Sequence, residues 1–256
     1  VLPQNWIFLR TTKKLREHIL TCHRLSFLAQ LNEGAFESSA AAGAFVILFG
    51  LWNTVDNSSD CFMGVDAITC KGVEGKIGAL LNSSVRLLSQ AKQRDNPDMR
   101  IMLAESSAEE IMEKYGVALV GLQTGDDPRY IIHHWEIGDW NSSVWELLQQ
   151  TPCDPQHVNY VDGQTSLVRW EMGNGSLLNC STSRPEQGLK AMGKPGIVIH
   201  RFRRFVPYYY ARTRFHQNVA VYLPSNESEL AAAWCYFESA DYTNEIRKLD
   251  QKKNVT

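Results

Sequence analysis

Two apolar segments, residues 25–31 and 44–52, constrain the fold more than any other feature of this chain. Each has the length of one strand, and neither is long enough to cross a bilayer. A helix predicted over residues 8–21 precedes them. Because short apolar runs beside a helix are typical of a buried sheet, we expect residues 1–52 to form part of an α/β domain.

The predicted helix is amphipathic. One face carries Phe8, Leu15 and Ile19, and the basic residues lie elsewhere: Arg10, Lys13, Lys14 and Arg16. Ahead of it the chain opens on Val-Leu-Pro rather than Met. We interpret Val1 and Leu2 as the tail of a buried strand and expect further sequence upstream of Val1.

The pattern changes along the chain. Residues 53–116 show only weak patterns, and we interpret them as a connector with short helices. They contain an Asn/Ser/Asp loop at 53–60, a short helix near 74–81, a polar run at 90–97 and a capping box from Ser107 to Glu110. Residues 117–256 are β-rich, with candidate strands at 117–122, 130–137, 166–171, 196–201 and 218–223 and two closing helices at 227–238 and 240–252. The sequence therefore predicts an α+β second domain.

Composition narrows the class of protein. The cysteines are scattered without a C-x-x-C pair, which predicts reduced thiols and no metal site, and no signal peptide is visible. We therefore expect a cytoplasmic protein without a membrane segment. Seven Asn-x-Ser/Thr triplets leave an extracellular glycoprotein as an alternative, although a chain rich in Asn and Ser forms such triplets by chance.

One segment is strongly basic although the net charge is only −2. Residues 190–217 contain no acidic residue and seven cations: Lys190, Lys194, Arg201, Arg203, Arg204, Arg212 and Arg214. Aromatic residues alternate with them, at Phe202, Phe205, Tyr208, Tyr209, Tyr210 and Phe215. Cations for phosphates beside flat groups for bases suit nucleic acid. A solvated basic face beside packed aromatic residues is an equally good interpretation.

No group of residues predicts a catalytic set. Gly173-Asn174-Gly175 lacks a third glycine, and we interpret it as an Asn-Gly hairpin turn. His133 and His134 are neighbours in a predicted strand, so they point to opposite faces and do not suit one metal ion. Residues 124–127 (Thr-Gly-Asp-Asp) have the composition of a plain turn as much as of a ligand contact.

Several segments resemble adenine-specific DNA methyltransferases of restriction-modification systems, of the TaqI type and its relatives. Residues 2–9 (Leu-Pro-Gln-Asn-Trp-Ile-Phe-Leu), followed by Leu15-Arg16, resemble the strand, Trp-Leu and Leu-Arg helix that come after the catalytic loop. Residues 31–36 (Leu-Asn-Glu-Gly-Ala-Phe) resemble the loop whose Phe stacks on the flipped adenine. Residues 120–130, 193–197 and the closing segment resemble the target-recognition domain.

This resemblance implies the carboxy-terminal part of a Rossmann-like methyltransferase domain (1–52), a connector (53–116) and a DNA target-recognition domain (117–256). It implies methyl transfer from S-adenosylmethionine to the exocyclic amine of adenine in double-stranded DNA. Phe36 would stack on the target base, and the residues expected to contact DNA are Lys194, Arg201, Arg203, Arg204, Arg212 and Arg214. An endonuclease domain or subunit is a possible partner.

The departures from the family are equally informative. The family holds the target amine in an (Asn/Asp/Ser)-Pro-Pro-(Tyr/Phe) loop, and this sequence contains no Pro-Pro. We therefore expect no catalytic residue here, with the catalytic loop and most of the cofactor site upstream of Val1 and a fragment that is inactive alone. A stand-alone DNA-binding specificity module without chemistry stays open as the alternative.

Overall fold

The computed structural model describes residues 1–41, 43–54, 61–104, 112–152, 160–201 and 205–249. Two compact units, Val1–Ser107 and Ala108–Arg247, divide the chain. They are called unit 1 and unit 2. In the part of the chain that the structure describes, they form a mixed α/β protein with three sheets. In the described residues, no helix combines the length and the apolar character that crossing a membrane requires.

Unit 1 is built on one five-stranded sheet with the order β1-β3-β2-β4-β5. The strands are β1 (Leu2–Pro3), β2 (Arg24–Asn32), β3 (Val46–Trp52), β4 (Cys61–Asp66) and β5 (Arg86–Ser89). The helices are α1 (Lys13–Cys22), α2 (Gly72–Asn82) and α3 (Gln90–Asp95). Only the β2–β4 pair is parallel among these strands. The apolar segments 25–31 and 44–52 thus form two adjacent antiparallel strands.

Residues 53–116, expected to act as a connector, instead supply β4, α2, β5 and α3 to unit 1. The polar run at 90–97 begins with helix α3, whose amino terminus is capped by the Ser89 hydroxyl accepting from the Lys92 N–H at 3.3 Å. The capping box from Ser107 to Glu110 lies outside the described residues.

Helix α1 differs from the expected amphipathic pattern. Arg16 is fully buried and Leu15 is 46% exposed, which reverses their predicted positions. The Arg16 guanidinium donates to the backbone oxygens of Trp6, Leu9, Asp98 and Met99. The Thr12 hydroxyl also donates to the Trp6 and Leu9 carbonyls, so the guanidinium joins this turn to the Asp98–Met99 backbone, and a buried cation rather than an apolar side chain fills this position.

The sheet of unit 1 is covered unequally. One face packs against α1 through a cluster that includes Ile19, Leu28 and Phe62. On the opposite face, Phe27, Met63 and Leu87 lie directly across from one another on β2, β4 and β5, and all three are exposed. An exposed apolar row on a sheet is an aggregation hazard.

Unit 2 contains two four-stranded sheets. The first has the order β11-β10-β13-β6, from β6 (Gly116–Val120), β10 (Ile197–His200), β11 (Pro207–Tyr209) and β13 (Val219–Pro224). The second has the order β12-β8-β9-β7, from β7 (Ile131–His133), β8 (Trp145–Gln149), β9 (Ser166–Arg169) and β12 (Arg214–Phe215). Its helices are the short α4 (Asp127–Tyr130), α5 (Leu230–Glu238) and α6 (Ala240–Leu249).

Side chains alternate across the first of these sheets. Ile197 and Tyr222 pack against Phe237 and Tyr242 of the closing helices. Their neighbours Val198 and Val221 belong to a separate cluster with Tyr208, Tyr210 and Phe215. The period of two in the sequence therefore gives each face of this sheet its own core.

The predicted hairpin at Gly173-Asn174-Gly175 is wrong. Strand β9 ends at Arg169, and residues Glu171–Gly173 form a 3-10 turn with Glu171 and Met172 in the left-handed region. The Glu171 carboxylate pairs with Arg169 at 2.8 Å and accepts from the Ser176 N–H at 3.3 Å. Because this side chain stabilises a wider turn, no two-residue hairpin forms.

Candidate nucleic-acid interface

Phe36 lies in the loop that follows β2 in unit 1. The backbone turns through left-handed conformations at Asn32 (φ 59°) and Gly34 (φ 79°), a region that favours glycine. Ala35 packs against the buried cluster of Leu31, Val46, Ala67 and Ala79, whereas the next side chain, Phe36, is 40% exposed. The loop is thus anchored at Ala35 and presents an accessible aromatic ring.

The turn between β4 and α2 is filled by a buried lysine. Lys76 donates to the carbonyl oxygens of Ala67 at 2.7 Å and Ile68 at 3.2 Å. Burial lowers the pKa of Lys76, although the nearby Cys70, Asp66 and Glu33 oppose this effect. The carbonyls of this strand-to-helix turn are therefore engaged by the ammonium group of Lys76.

In unit 2 the structure brings three cations of the basic segment to one surface. Lys190, Lys194 and Arg212 are exposed. The turn that carries Lys194 is tied to Arg212, because the Gly193 N–H donates to the Arg212 carbonyl at 2.9 Å. Lys190 lies in the 3-10 turn Leu189–Ala191 just before it. Among the described residues, these three side chains form no ion pair.

Arg214 does not belong to this surface. Its side chain is buried, its Nε donates to Glu146 Oε2 at 2.6 Å, and its guanidinium lies 3.4 Å from the centre of the Trp170 ring. These contacts occupy the charged group inside the second sheet of unit 2. The expectation that Arg214 contacts DNA is therefore corrected to a structural role.

The other residues predicted to contact DNA differ in their surroundings. Arg201 is half-buried and donates from Nη1 to the Gln217 carbonyl at 2.6 Å, so its charged end is partly engaged within the protein. Arg203 and Arg204 lie outside the described residues. Of the six cations predicted to contact DNA, Lys194 and Arg212 are thus the two that are exposed and form no ion pair with a described acidic residue.

The aromatic residues of the basic segment belong mainly to the core. Phe205, Tyr208, Tyr210 and Phe215 are buried. Burial raises the pKa of Tyr208, whose hydroxyl donates to the Gln150 carbonyl at 2.7 Å. Of the described aromatic residues in this segment, Tyr209 alone is exposed. The interpretation of packed aromatics beside a solvated basic face is therefore correct for these four rings.

Two further cations that the sequence interpretation did not single out are exposed, Arg129 in α4 and Arg184 in a loop. The backbones of Arg184 and Gln123 pair through two hydrogen bonds of 2.8 and 3.3 Å. Residues 121–130 therefore lie beside residues 180–184 in unit 2. Sequence alone gives no signal for this, because a single bridge joins segments about sixty residues apart.

The Thr124-Gly125-Asp126-Asp127 turn is fixed by contacts on several sides. The buried Thr124 hydroxyl donates to Asp127 and accepts from the Asp126 N–H at 3.2 Å. Gly125 adopts φ 77°, and a Cβ there would collide with the Thr182 side chain. The turn is therefore a rigid element, more constrained than its plain turn composition suggests.

His216 adds a further hydrogen bond to the Thr124–Asp127 turn. Its Nδ1 accepts from the Asn218 N–H at 3.4 Å, which assigns the ring proton to Nε2. Nε2 then donates to the Asp127 carboxylate at 3.3 Å. His216 is 1% exposed, and burial lowers its pKa, with Asp127 acting in the opposite direction.

The lowered pKa predicts a pH-dependent stability. Below the ordinary histidine value of 6.5, the unfolded chain binds more protons at His216 than the folded chain. The contribution of His216 to the free energy of unfolding is therefore fully present above pH 6.5 and decreases as the pH falls toward the pKa of the folded state. Urea unfolding of wild type and His216→Gln at about pH 5 and pH 8 isolates this residue. An equal difference between the two proteins at both pH values would contradict the assignment.

The described residues contain no group of three or more His, Cys, Asp or Glu side chains that could hold a metal ion. His133 stacks on the exposed Trp135 with ring centres 4.3 Å apart, and the ring Nδ1 of His134 lies 3.0 Å from the Thr165 carbonyl. Both histidines thus take part in local surface structure.

Comparison with known proteins shows a likeness of fold. No family profile and no curated protein sequence matches the chain. Among solved structures, the "ATP-dependent Type ISP restriction-modification enzyme LlaBIII bound to DNA" matches with a TM-score of 0.52 and 8% identity, covering 87% of this chain and 19% of that one. The Type IIL restriction-modification enzyme MmeI in complex with DNA matches with a TM-score of 0.45 and 9% identity, covering 83% of this chain and 31% of that one. The chain thus spans about a fifth of the length of LlaBIII.

Proposed function

We propose that this chain is part of a restriction-modification or phage-defence DNA methyltransferase and that unit 2 binds double-stranded DNA. One observation carries the proposal. Five exposed cations lie on segments of unit 2 that backbone hydrogen bonds join, and none forms an ion pair with a described residue: Arg129, Arg184, Lys190, Lys194 and Arg212. Of these, Arg184 also donates to the Ser181 and Ser183 carbonyls, as Arg201 does to the Gln217 carbonyl. Unpaired cations on a fixed surface suit a ligand with regularly spaced negative charges, and each phosphate contact releases counterions.

The fold likeness supports this proposal. LlaBIII is described as a restriction-modification enzyme bound to DNA, and its likeness to this chain extends over 87% of the residues here. The carboxy-terminal part of a Rossmann-like methyltransferase domain would then correspond to residues within unit 1. The target-recognition domain would correspond to unit 2. The cytoplasm is where such an enzyme would meet DNA.

Phe36 has the properties that stacking on an extruded base requires. An adenine inside a duplex must be swung out before an enzyme can reach its exocyclic amine, and unstacking costs a few kcal/mol. Stacking of a base on an aromatic side chain is worth about 1–3 kcal/mol. Phe36 is exposed on a loop that Ala35 anchors, so the ring is available without rearrangement of the core.

The methyl donor of this proposal is S-adenosylmethionine, which supplies the transferred methyl group when bound. The resemblance implies that most of its binding site lies upstream of Val1, and in this chain the turn between β4 and α2 is occupied by Lys76. No Pro-Pro loop is available to hold the target amine. We therefore assign base stacking and DNA binding to this chain, and cofactor binding and catalysis to other sequence of the proposed enzyme.

Fluorescence anisotropy of the chain on a labelled random-sequence duplex tests the proposal. With five cations on phosphates, we expect the logarithm of the binding constant to fall with the logarithm of the salt concentration with a slope of about −4 to −5. The same series on a neutral labelled dextran is the control. A folded protein that shows no binding even at low salt would contradict DNA binding by unit 2.

A further inference from the structure

The Thr124–Arg129 segment of unit 2 carries an exposed carboxylate, Asp126, and an exposed guanidinium, Arg129, three positions apart in the chain. The Arg129 N–H donates to the Asp126 carbonyl at 3.2 Å, and the backbone of the nearby Gln123 pairs with that of Arg184. We propose that Asp126 and Arg129 read base edges in the DNA groove and so determine part of the target sequence. This inference rests on the proposed DNA binding and assigns a role within it.

The carboxylate of Asp126 is the informative group. Among the described residues it accepts no side-chain hydrogen bond and forms no ion pair, although Asp127 beside it is engaged by Thr124 and His216. A free carboxylate repels phosphates, so on a DNA-binding surface it does not serve the backbone. It does match the amino groups that cytosine and adenine present in the major groove, because these groups donate hydrogen bonds.

Arg129 has the complementary chemistry. Its guanidinium lies 5.2 Å from the centre of the Tyr130 ring, and Tyr130 is buried. Stacking on a fixed ring restricts the orientation of the planar fork. Among the described residues no carboxylate pairs with it, so its N–H groups are available for two parallel hydrogen bonds. Guanine offers two acceptors on its major-groove edge at the spacing of that fork.

Lys190 and Lys194 differ from this pair. They are exposed lysines in a turn at residues 189–194, with no ring or acid among the described residues to orient them. A flexible ammonium group suits phosphates as a point charge and carries little base preference. The surface therefore combines two kinds of contact, and variants at Asp126 or Arg129 are expected to behave differently from variants at Lys194.

Selection from a randomised duplex library tests the proposal with the full chain. Wild type is expected to enrich a defined motif. Asp126→Asn and Arg129→Gln are each expected to alter the preference at one base pair, by about tenfold in relative affinity, and at different positions. The matched control Lys194→Gln is expected to enrich the wild-type motif and to weaken binding uniformly across sequences. Thermal melting of each variant checks that the turn remains folded.

Three outcomes would overturn the inference. Both turn variants could enrich the wild-type motif with unchanged relative affinities, or wild type could bind strongly with a steep salt dependence and enrich no motif. Either result leaves DNA binding intact and removes base reading from this turn. Absence of any DNA binding by wild type would instead contradict the proposed function itself, and this inference with it.

Discussion

Replacement of Arg16 by methionine is expected to destabilise unit 1 by about 2–4 kcal/mol, because each buried acceptor left without its donor costs about 1–3 kcal/mol. The guanidinium donates to five oxygens: those of the Trp6, Leu9, Asp98 and Met99 carbonyls and the Thr12 hydroxyl, over distances of 2.7–3.2 Å. Burial, with Arg100 adding to the effect, lowers the pKa of Arg16 to about 10, so the group is charged at neutral pH. Methionine fills most of the volume but leaves the Asp98 and Met99 carbonyls without the donor they have in the wild type, which is the costly part of the change.

Lys14→Met is the matched control, because Lys14 lies two positions away on α1 and is exposed. A surface change of this kind is expected to alter stability by less than about 0.5 kcal/mol. Urea unfolding followed by circular dichroism measures both proteins. If Arg16→Met unfolds at the same urea concentration as Lys14→Met, the network around Arg16 does not hold unit 1 together.

Replacement of Arg214 by methionine is expected to destabilise unit 2 by about 2–4 kcal/mol. The change removes both the ion pair with Glu146 and the stacking on Trp170, and it leaves Glu146 facing the sheet without its partner. Arg212→Gln, two residues earlier, is expected to leave stability nearly unchanged, because Arg212 is exposed. The same Arg212 variant is expected to weaken DNA binding.

Urea unfolding and DNA binding are measured on both variants. Together they separate the structural role of Arg214 from the DNA-contacting role of Arg212, two residues of the same basic segment. We expect Arg214→Met to bind DNA normally under conditions in which it remains folded. A loss of DNA affinity in folded Arg214→Met, with unfolding at the wild-type urea concentration, would return Arg214 to the DNA-contacting surface and contradict its structural role.

The strands that the sequence predicted best are those with continuous apolar runs. Strands β2, β3, β10 and β13 fall within two or three residues of the predicted segments. Helix α2 was likewise expected near residues 74–81 and spans Gly72–Asn82. Local composition sufficed in these cases because a strand that packs into a core carries a run of apolar side chains.

Strands β4, β5 and β8 were not predicted. Each has an exposed or half-exposed face and contains polar or charged residues, as in Arg86–Ser89 and in Trp145–Gln149, so no apolar run marks it. Their pairing with distant strands is what stabilises them, as in the parallel pairing of β4 with β2. Tertiary pairing of this kind leaves only a weak pattern in the sequence.

In the candidate site too, local composition predicted some features and missed those that depend on distant contacts. Charge alone predicted that Lys194 and Arg212 contact DNA; both are exposed, as lysine and arginine usually are, and the DNA contact stays a prediction. It misplaced Arg214, because burial there depends on Glu146 and Trp170 from other strands. Arg129 and Arg184 were missed for a related reason, as a non-local backbone bridge brings their loops together.

The most direct test of DNA binding by unit 2 is the salt dependence of duplex affinity in a triple variant, Lys190→Gln, Lys194→Gln and Arg212→Gln, measured beside wild type. Because each phosphate contact contributes about one to the slope of the logarithmic salt plot, we expect the slope to become shallower by about 2–3. Affinity at low salt should fall in parallel. A triple variant that stays folded and keeps both the wild-type slope and the wild-type affinity would contradict the assignment of this surface to DNA.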